Sequence, residues 1–449
     1  MPTTNESQPA FRLLLTCDRP AFAAGHDTTL RVLARIQAPE APVDASKRQP
    51  LHLALVLDRS GSMSGVPLQE AKRCARHMLD GLAPGDRAAI FAFDDEVLRV
   101  APLTPASEKL TLGSALAMIE SGGSTNLHGG WRAGADELAA KAAADGIHRV
   151  ILLSDGCANA GETDLEAIAG QCKAFGKHGI STSTYGLGND FNEGLMLAMA
   201  SAGRGNAYYG QTAADLAEPF AAEFALLTSL CARGLFLKHH APASVGVKLR
   251  NDYECVQGET MAWHLPDLAF ASEAWALFEL TFPLNAPGED ANPLPITISV
   301  QAATIDSTPL FLMGTVPDLS VIVRSQGETR AVDPLIAQRA LELDAADALV
   351  AVRAAIETDD WKKAKRLVAA AAKRFARHPW ASTIIATMQR LISERDKRLA
   401  VKEAAFSARR MQNRLASPHE PPSFCMAEEA HLPVFLQRKS EQGKSRRDH

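Results

Sequence analysis

The chain has 449 residues, of which 46% are hydrophobic and 22% charged, with a formal net charge of −5. That length exceeds the usual single-domain range and predicts two to four domains, while the composition is that of an ordinary globular protein. The mildly acidic balance gives no signal for nucleic acid or an anionic membrane, no stretch approaches the roughly 20 apolar residues of a membrane span, and seven scattered cysteines with no Cys-x-x-Cys pair argue against zinc knuckles and a disulfide framework. Residues Met1–Gln8 lack the basic and apolar regions of a secretory signal, so a cytoplasmic protein is expected.

Phe11–Thr16 and Thr28–Ile36 have β character. Leu51–Leu57 is a near-continuous apolar run and predicts a strand buried on both faces, as in a parallel α/β sheet. Asp58-Arg59-Ser60-Gly61-Ser62 follows at once and sets a carboxylate and two hydroxyls at alternate positions. The loop outside a strand's carboxyl end is where open α/β sheets bind ligands, and oxygen donors there suit a hard cation such as Mg2+. A helix opens after Gly65, with Leu68, Ala71, Ala75, Met78, Leu79 and Leu82 on one face. Arg87–Asp95 predicts a strand, paired with an antiparallel edge over Glu96–Val100 through a turn at Asp94-Asp95. Helices are expected at Ser107–Ser121 and Leu127–Ala144, flanking the Gly-rich loop Gly122–Asn126 with its Thr125 hydroxyl.

His148–Ser154 reads as a second buried strand, ending in Asp155-Gly156. A helix over Glu162–Lys177 would turn Leu165, Ile168, Ala169, Cys172 and Phe175 inward. Strands follow at Ile180–Gly186 and Asn206–Tyr209, and a helix at Ala213–Cys231 with Leu216, Phe220, Phe224 and Leu227 on one face. Alternating strands and helices imply a doubly wound α/β sheet.

Three loops thus carry Asp58, Ser60, Ser62, Thr125 and Asp155, all oxygen donors. The rival interpretation is that the hydroxyls cap helices and the Asp residues end strands. The set resembles the metal-ion-dependent adhesion site of von Willebrand factor A domains. Ser-Gly-Ser-Met at 60–63, Gly-Gly-Ser-Thr-Asn at 122–126 and Leu-Ser-Asp-Gly at 153–156 are similar to that family's spellings, in its order and spacing, over about residues 50–231. The resemblance implies a Rossmann-like fold and Mg2+ (Mn2+ or Ca2+ as substitutes) with Ser60, Ser62 and Thr125 as direct ligands. Asp58 and Asp155 would act directly or through water. It also implies capture of an Asp or Glu of a protein partner, with no catalysis.

Beyond the A domain, residues 233–325 alternate short β-like runs with Pro- and Gly-bearing turns and read as a β-sandwich. Residues 9–40 are expected to add strands to it, making the A domain an insertion. From Asp333-Pro334 the chain turns helical. A helical domain over 331–415 would hold helices at 334–357, 360–376 and 380–415, and a tail at 416–449 is expected to lack fixed structure. This order is similar to cytosolic A-domain proteins with a carboxyl-terminal A-domain-interacting region. Eukaryotic relatives attach a RING finger, for which this chain has no Cys/His ladder.

Two further functions compete. Gly170–His178 loosely matches a phosphate loop but has one residue too many between the glycines and His in place of Ser or Thr. Gly443-Lys444-Ser445 lacks the upstream glycine. A Mg2+-dependent phosphatase-like hydrolase would use Asp58 as nucleophile, yet such enzymes typically carry a second acid two residues on, where Ser60 stands. The other alternative is a scaffold whose metal is only structural.

Overall fold

The apolar run at 51–57 becomes the centre of a six-stranded sheet. A computed structural model describes residues 11–19, 21–23, 28–41, 48–141, 146–256, 261–282, 296–317, 320–322, 332–416 and 436. The expected tail, apart from Ala416 and Leu436, and residues 9–10 lie outside these.

Strands β1 (Arg12–Cys17), β2 (Ala21–Ala23) and β3 (Thr28–Gln37) precede β4 (Leu51–Asp58). There follow α1 (Val66–Gly81), β5 (Arg87–Phe93), β6 (Val97–Pro105), α2 (Lys109–Ala117) and α3 (Leu127–Lys141). Next come β7 (Ile147–Ser154), α4 (Leu165–Lys177), β8 (Ile180–Leu187), α5 (Glu193–Ala202), β9 (Arg204–Gly210) and α6 (Ala217–Thr228). The sheet order is β6-β5-β4-β7-β8-β9, parallel except for the edge strand β6. Every residue of β4 and β7 is buried. Alternate side chains of β4 serve opposite faces. Leu53, Leu55 and Leu57 join Ala71, Met78 and Leu79 of α1, whereas Ala54 and Val56 join Trp131 and Leu138 of α3. The result is a mixed α/β sheet covered by helices on both sides.

Several predicted elements are corrected. The helix expected over 107–121 is helical as α2 only to Ala117, before the Gly122-Gly123 loop. Helix α4 starts at Leu165, not Glu162, because the Asp164 side chain caps it by accepting from Ala167 N. Leu165 therefore sits at the helix's first position and is exposed rather than inward. The helix expected to reach Cys231 ends at Thr228, and Cys231 belongs to the next strand. Helix α5, capped by Asn192, has no predicted counterpart.

The chain continues with β10 (Leu230–His240), β11 (Gly246–Leu249), β12 (Glu254–Val256), β13 (Ala262–His264), β14 (Leu268–Ala269) and β15 (Glu273–Phe282). It then forms β16 (Thr297–Thr304), β17 (Pro309–Thr315) and β18 (Ser320–Ile322), the last parallel to β2. Two antiparallel sheets result, β1-β3-β15-β11 and β12-β13-β10-β16-β17, with β14 on β10. β3 pairs with β15 from Thr28↔Phe282 to Gln37↔Glu273, so strands on either side of the A domain in sequence share one sheet. Strand alternation divides their side chains. Val32, Ala34, Ala276 and Phe278 enter the core shared with Leu235 and Leu237 of β10. Leu33, Trp275 and Leu277 face the other way, onto Ile336, Ala340 and Leu343 of α7 (Pro334–Glu357).

Helices α8 (Trp361–Arg374), α9 (Pro379–Glu394) and α10 (Lys397–Asn413) complete the chain's helical region. The single helix expected over 380–415 is two. Arg395 takes a left-handed conformation (φ 57°), and Asp396 caps α10 by accepting from Leu399 N. The reversal lets both helices pack around one core with Trp380, Met388, Leu349 and Met411. The Arg339 guanidinium donates to Glu342 and to the carbonyls of Met411 and Gln412, tying the end of α10 to α7. Helix α10 also meets the A domain, where Phe406 stacks on Tyr209 and Lys402 donates to the Phe191 carbonyl (2.7 Å) and Glu193 (2.8 Å).

Glu273 is fully buried and accepts from Arg35, Gln37 and the Trp275 indole N–H. Glu273→Ala removes that shared acceptor and should cost about 3–5 kcal/mol. Arg353→Ala, which breaks an exposed pair four residues along a helix, should stay within about 0.5 kcal/mol. Urea-unfolding midpoints of the two variants check the contrast.

Candidate functional site

Parallel pairing of β4 with β7 in the register Leu57↔Leu153 brings Asp58 level with Ser154. In the order of this sheet β4 is where the chain switches direction, so the crevice outside its carboxyl end is the expected binding place. The Asp58 carboxyl is completely buried there. One oxygen accepts from Ser60 N (2.8 Å), which bends the backbone into the Ser60–Ser62 turn, and the other accepts a short bond from the Ser154 hydroxyl. The Ser60 and Ser62 hydroxyls lie 3.2 Å apart, and Ser62 Oγ donates to Asp155 Oδ1 at 2.7 Å. Gly65, in a left-handed conformation (φ 81°) that few other residues adopt, turns the chain into α1.

Backbone bonds draw in the third loop. Gly61 N donates to Gly123 O (3.0 Å) and Gly122 N to Arg59 O (2.7 Å). Thr125 is buried and held from both sides, its N–H by Asn159 Oδ1 and its carbonyl by Asn159 N and Ala160 N. Its hydroxyl lies against Gly156, where a β-carbon would stand 3.1 Å from Thr125 Oγ1. Asn126 caps α3 by accepting from Gly129 N. Asp58, Ser60, Ser62 and Asp155 are thus joined by direct contacts, and Thr125 is packed against the residue after Asp155.

Asp94, read in the sequence only as a turn residue, clamps these loops. It is buried, accepts from Glu96 N and Gly123 N (both 3.0 Å), and pairs with Arg59 at 2.9 Å. The one signal for it was its position at the end of β5, beside Asp58 in the sheet. Ser154 and Asn159 were likewise not assigned roles. Ser154 could have been found from its place at the end of β7.

The charges differ in character. Burial pushes the Asp58 carboxyl up to about 6, against the hydrogen bonds of Ser154 and Ser60 and with the Asp155 charge adding to the rise. Burial also raises Asp155, opposed by the Ser62 hydrogen bond. Asp94 goes the other way. Burial would raise it, but the N–H groups of Gly123 and Glu96 together with Arg59 hold it below the usual carboxyl range. Among the described residues, no group of three or more His, Cys, Asp or Glu side chains is placed to hold a metal. The donor set here has two carboxylates and three hydroxyls. Its oxygen chemistry and its buried acid, which forms no ion pair among the described residues, fit a hard cation.

Residues 52–222 match the model of the von Willebrand factor type A domain family. The chain carries a von Willebrand factor A domain. It is 30% identical over 201 residues to the protein sll0103 of Synechocystis sp., an alignment covering 44% of this chain and 46% of that one. It is 28% identical over 166 residues to YfbK of Escherichia coli, covering 36% of this chain and 29% of YfbK. The alignments thus span under half the length of these curated relatives. In fold the chain is similar to a von Willebrand factor type A protein from Catenulispora acidiphila (TM-score 0.63, 15% identity, 92% of this chain and 98% of that one). The ArnB paralog VWA2 from Sulfolobus acidocaldarius is also similar (TM-score 0.57, 16% identity, 90% and 99%). These likenesses extend well beyond the A domain. Domains of this family typically mediate protein–protein interaction, are generally not enzymes, and often bind a divalent metal.

Asp94→Ala should free the Gly123 and Glu96 amides and loosen the loop at a cost of about 1–3 kcal/mol, read as faster hydrogen exchange at those two amides with β4 and β7 unchanged. Because the Asp94 carboxyl is depressed in the folded state, its contribution is present above the ordinary value of about 3.9. It is lost only as pH falls through the lower folded value.

Proposed function

We propose that this chain is a divalent-metal-dependent protein-interaction module that captures an Asp or Glu side chain of a partner protein. One observation carries the reading. The fully buried Asp58 carboxyl, in no ion pair among the described residues, lies in one cluster with Ser60, Ser62, Thr125 and Asp155. These five residues would hold the ion, Mg2+ with Mn2+ or Ca2+ as substitutes. When bound, Mg2+ offers near-octahedral positions filled by water, one of which a carboxylate oxygen can take.

The chain's own groups set the preference. With only two anionic donors the site accepts a third carboxylate at modest electrostatic cost, while a Lys or Arg would be repelled by the ion. Helix α1 directs its amino-terminal positive end toward the same loop. Ser154 and Ser60 N fix the Asp58 carboxyl, and Arg59 with Asp94 fixes the loop bearing Thr125. The same contacts weigh against the hydrolase reading. A nucleophilic carboxylate must reach substrate directly, whereas Asp58, buried with both oxygens already accepting, could still serve a bound ion through water. In this reading the two antiparallel sheets form a β-sandwich that, with the helical region, serves as scaffold. The buried cysteines Cys172 and Cys231, in no disulfide among the described residues, suit a cytoplasmic setting.

Ser60→Ala and Thr125→Ala should keep the wild-type circular dichroism spectrum and bind Mg2+ about 10-fold or more weakly by calorimetry. Normal affinity in both would remove the ligand assignment. Once a partner is in hand, EDTA should abolish its binding, Mg2+ or Mn2+ should restore it, and a single partner Asp or Glu should dominate an alanine scan of its contact surface. Partner binding that survives EDTA would leave the metal a structural role only.

A further inference from the structure

Five arginines line a cavity of about 220 Å3 that shares no residue with the adhesion-type loops: Arg149, Arg204, Arg409, Arg410 and Arg414. The walls come from β9 and α6 of the A domain, from the segments 252–254 and 264–267 of the antiparallel sheets, and from the last turns of α10. Because the cations are supplied by separate elements, they are not one solvated helix face. Asp252, Glu254 and Asp267 line it too, and Asp267 accepts from Gly234 N, while other acid nearby is committed to partners. Glu223, fully buried, lies 3.6 Å from Arg149 and also accepts from Ser183, Asn206 and Tyr208. Arg414 pairs with Glu342 at 3.2 Å, and Glu254 turns to Lys173 at 2.6 Å.

Arg204 and Arg409 are left over. Neither forms an ion pair within 4.0 Å among the described residues, although the charge of Asp252, which lines the cavity, acts on Arg409 at longer range, and Arg204 lies over the Phe236 ring at 5.5 Å. The Tyr209 hydroxyl and His264 Nε2, on residues that line the cavity, are buried with no hydrogen-bond partner among the described residues. Arg204 and Arg409 are half-buried, and withdrawing guanidinium groups from water without full counter-charge, beside unsatisfied polar atoms, is unfavourable unless something supplies the missing acceptors. Burial accordingly holds Arg409 and Arg410 below the ordinary guanidinium range, though both remain cationic at neutral pH.

We propose that this cavity is a binding site for a small polyvalent oxyanion of the phosphate class, held by Arg204 and Arg409 with Tyr209 as a neutral donor. Guanidinium forks match phosphate oxygens in pairs. The volume, below the 300 Å3 or so of common ligand pockets, admits phosphate or pyrophosphate rather than a nucleotide. An anion there neutralises groups from the A domain, the sheets and α10 at once, and so stabilises their junction by mass action. The site shares no residue with the metal loops and stands independently of the metal-dependent reading.

The full chain should be titrated calorimetrically, in low-chloride buffer, with sodium phosphate, pyrophosphate and citrate in separate experiments. Saturable one-site binding of phosphate or pyrophosphate is expected. It should weaken at least 10-fold in Arg409→Gln and in Arg204→Gln while the circular dichroism spectrum is retained. Arg390→Gln, which removes an exposed arginine of α9 outside the cavity, should bind the anion as the wild type does. No saturable binding of any of the three anions, or wild-type affinity in both arginine variants, would overturn the proposal. Citrate binding more tightly than both phosphates would overturn the phosphate class.

Discussion

The Asp58 carboxyl has to be satisfied at the end of a strand that excludes water. β4 is buried along its whole length, so an acid at its end is stripped of solvent and must be neutralised by protons, hydrogen bonds or a cation. The protein supplies two hydrogen bonds, from Ser60 N and Ser154. Those bonds shape the Ser60–Ser62 turn, which in turn offers Gly61 N to Gly123 O and so holds the loop of Thr125. The arrangement of three loops thus follows from one buried charge.

The second organising constraint is the antiparallel pairing of β3 with β15. It makes the chain leave a sheet, build the A domain and come back to that sheet. Two crossings at nearby points restrict relative motion more than one linker does. The helical region adds a third attachment. Lys402 and Arg398 of α10 reach the segment 190–193, and the Asp190 carbonyl accepts from the Cys157 thiol, two residues from Asp155. A contact path therefore runs from α10 to the loop that carries one of the candidate ligands.

Local pattern decided a good deal. The largely apolar runs at 51–57 and 150–153 read as strands covered on both faces, and donors placed just past the ends of such strands emerge on the same edge of a parallel sheet. That is why Asp58, Ser60, Ser62 and Asp155 could be placed at strand ends from the sequence, while their grouping as one ligand set rested on the family resemblance. Alternation and the Asp333-Pro334 helix start made Glu273–Phe282 and 334–357 legible to the residue. The A-domain fold followed from the same alternation.

What tertiary structure decided has a common cause: it depends on partners far away in the chain, which periodicity does not encode. Asp94 looks like any turn acid until Gly123 and Arg59 arrive beside it. No Gly or Pro marks Arg395, and the chain reverses there because α9 and α10 bury more apolar surface around a shared core than one long helix could. The pairing of β3 with β15 is settled by burial on two different faces, against β10 and against α7. The arginine cavity joins residues from Arg149 to Arg414, and nothing in their separate neighbourhoods announces it. Sequence fixes which faces must be buried; only packing decides against what.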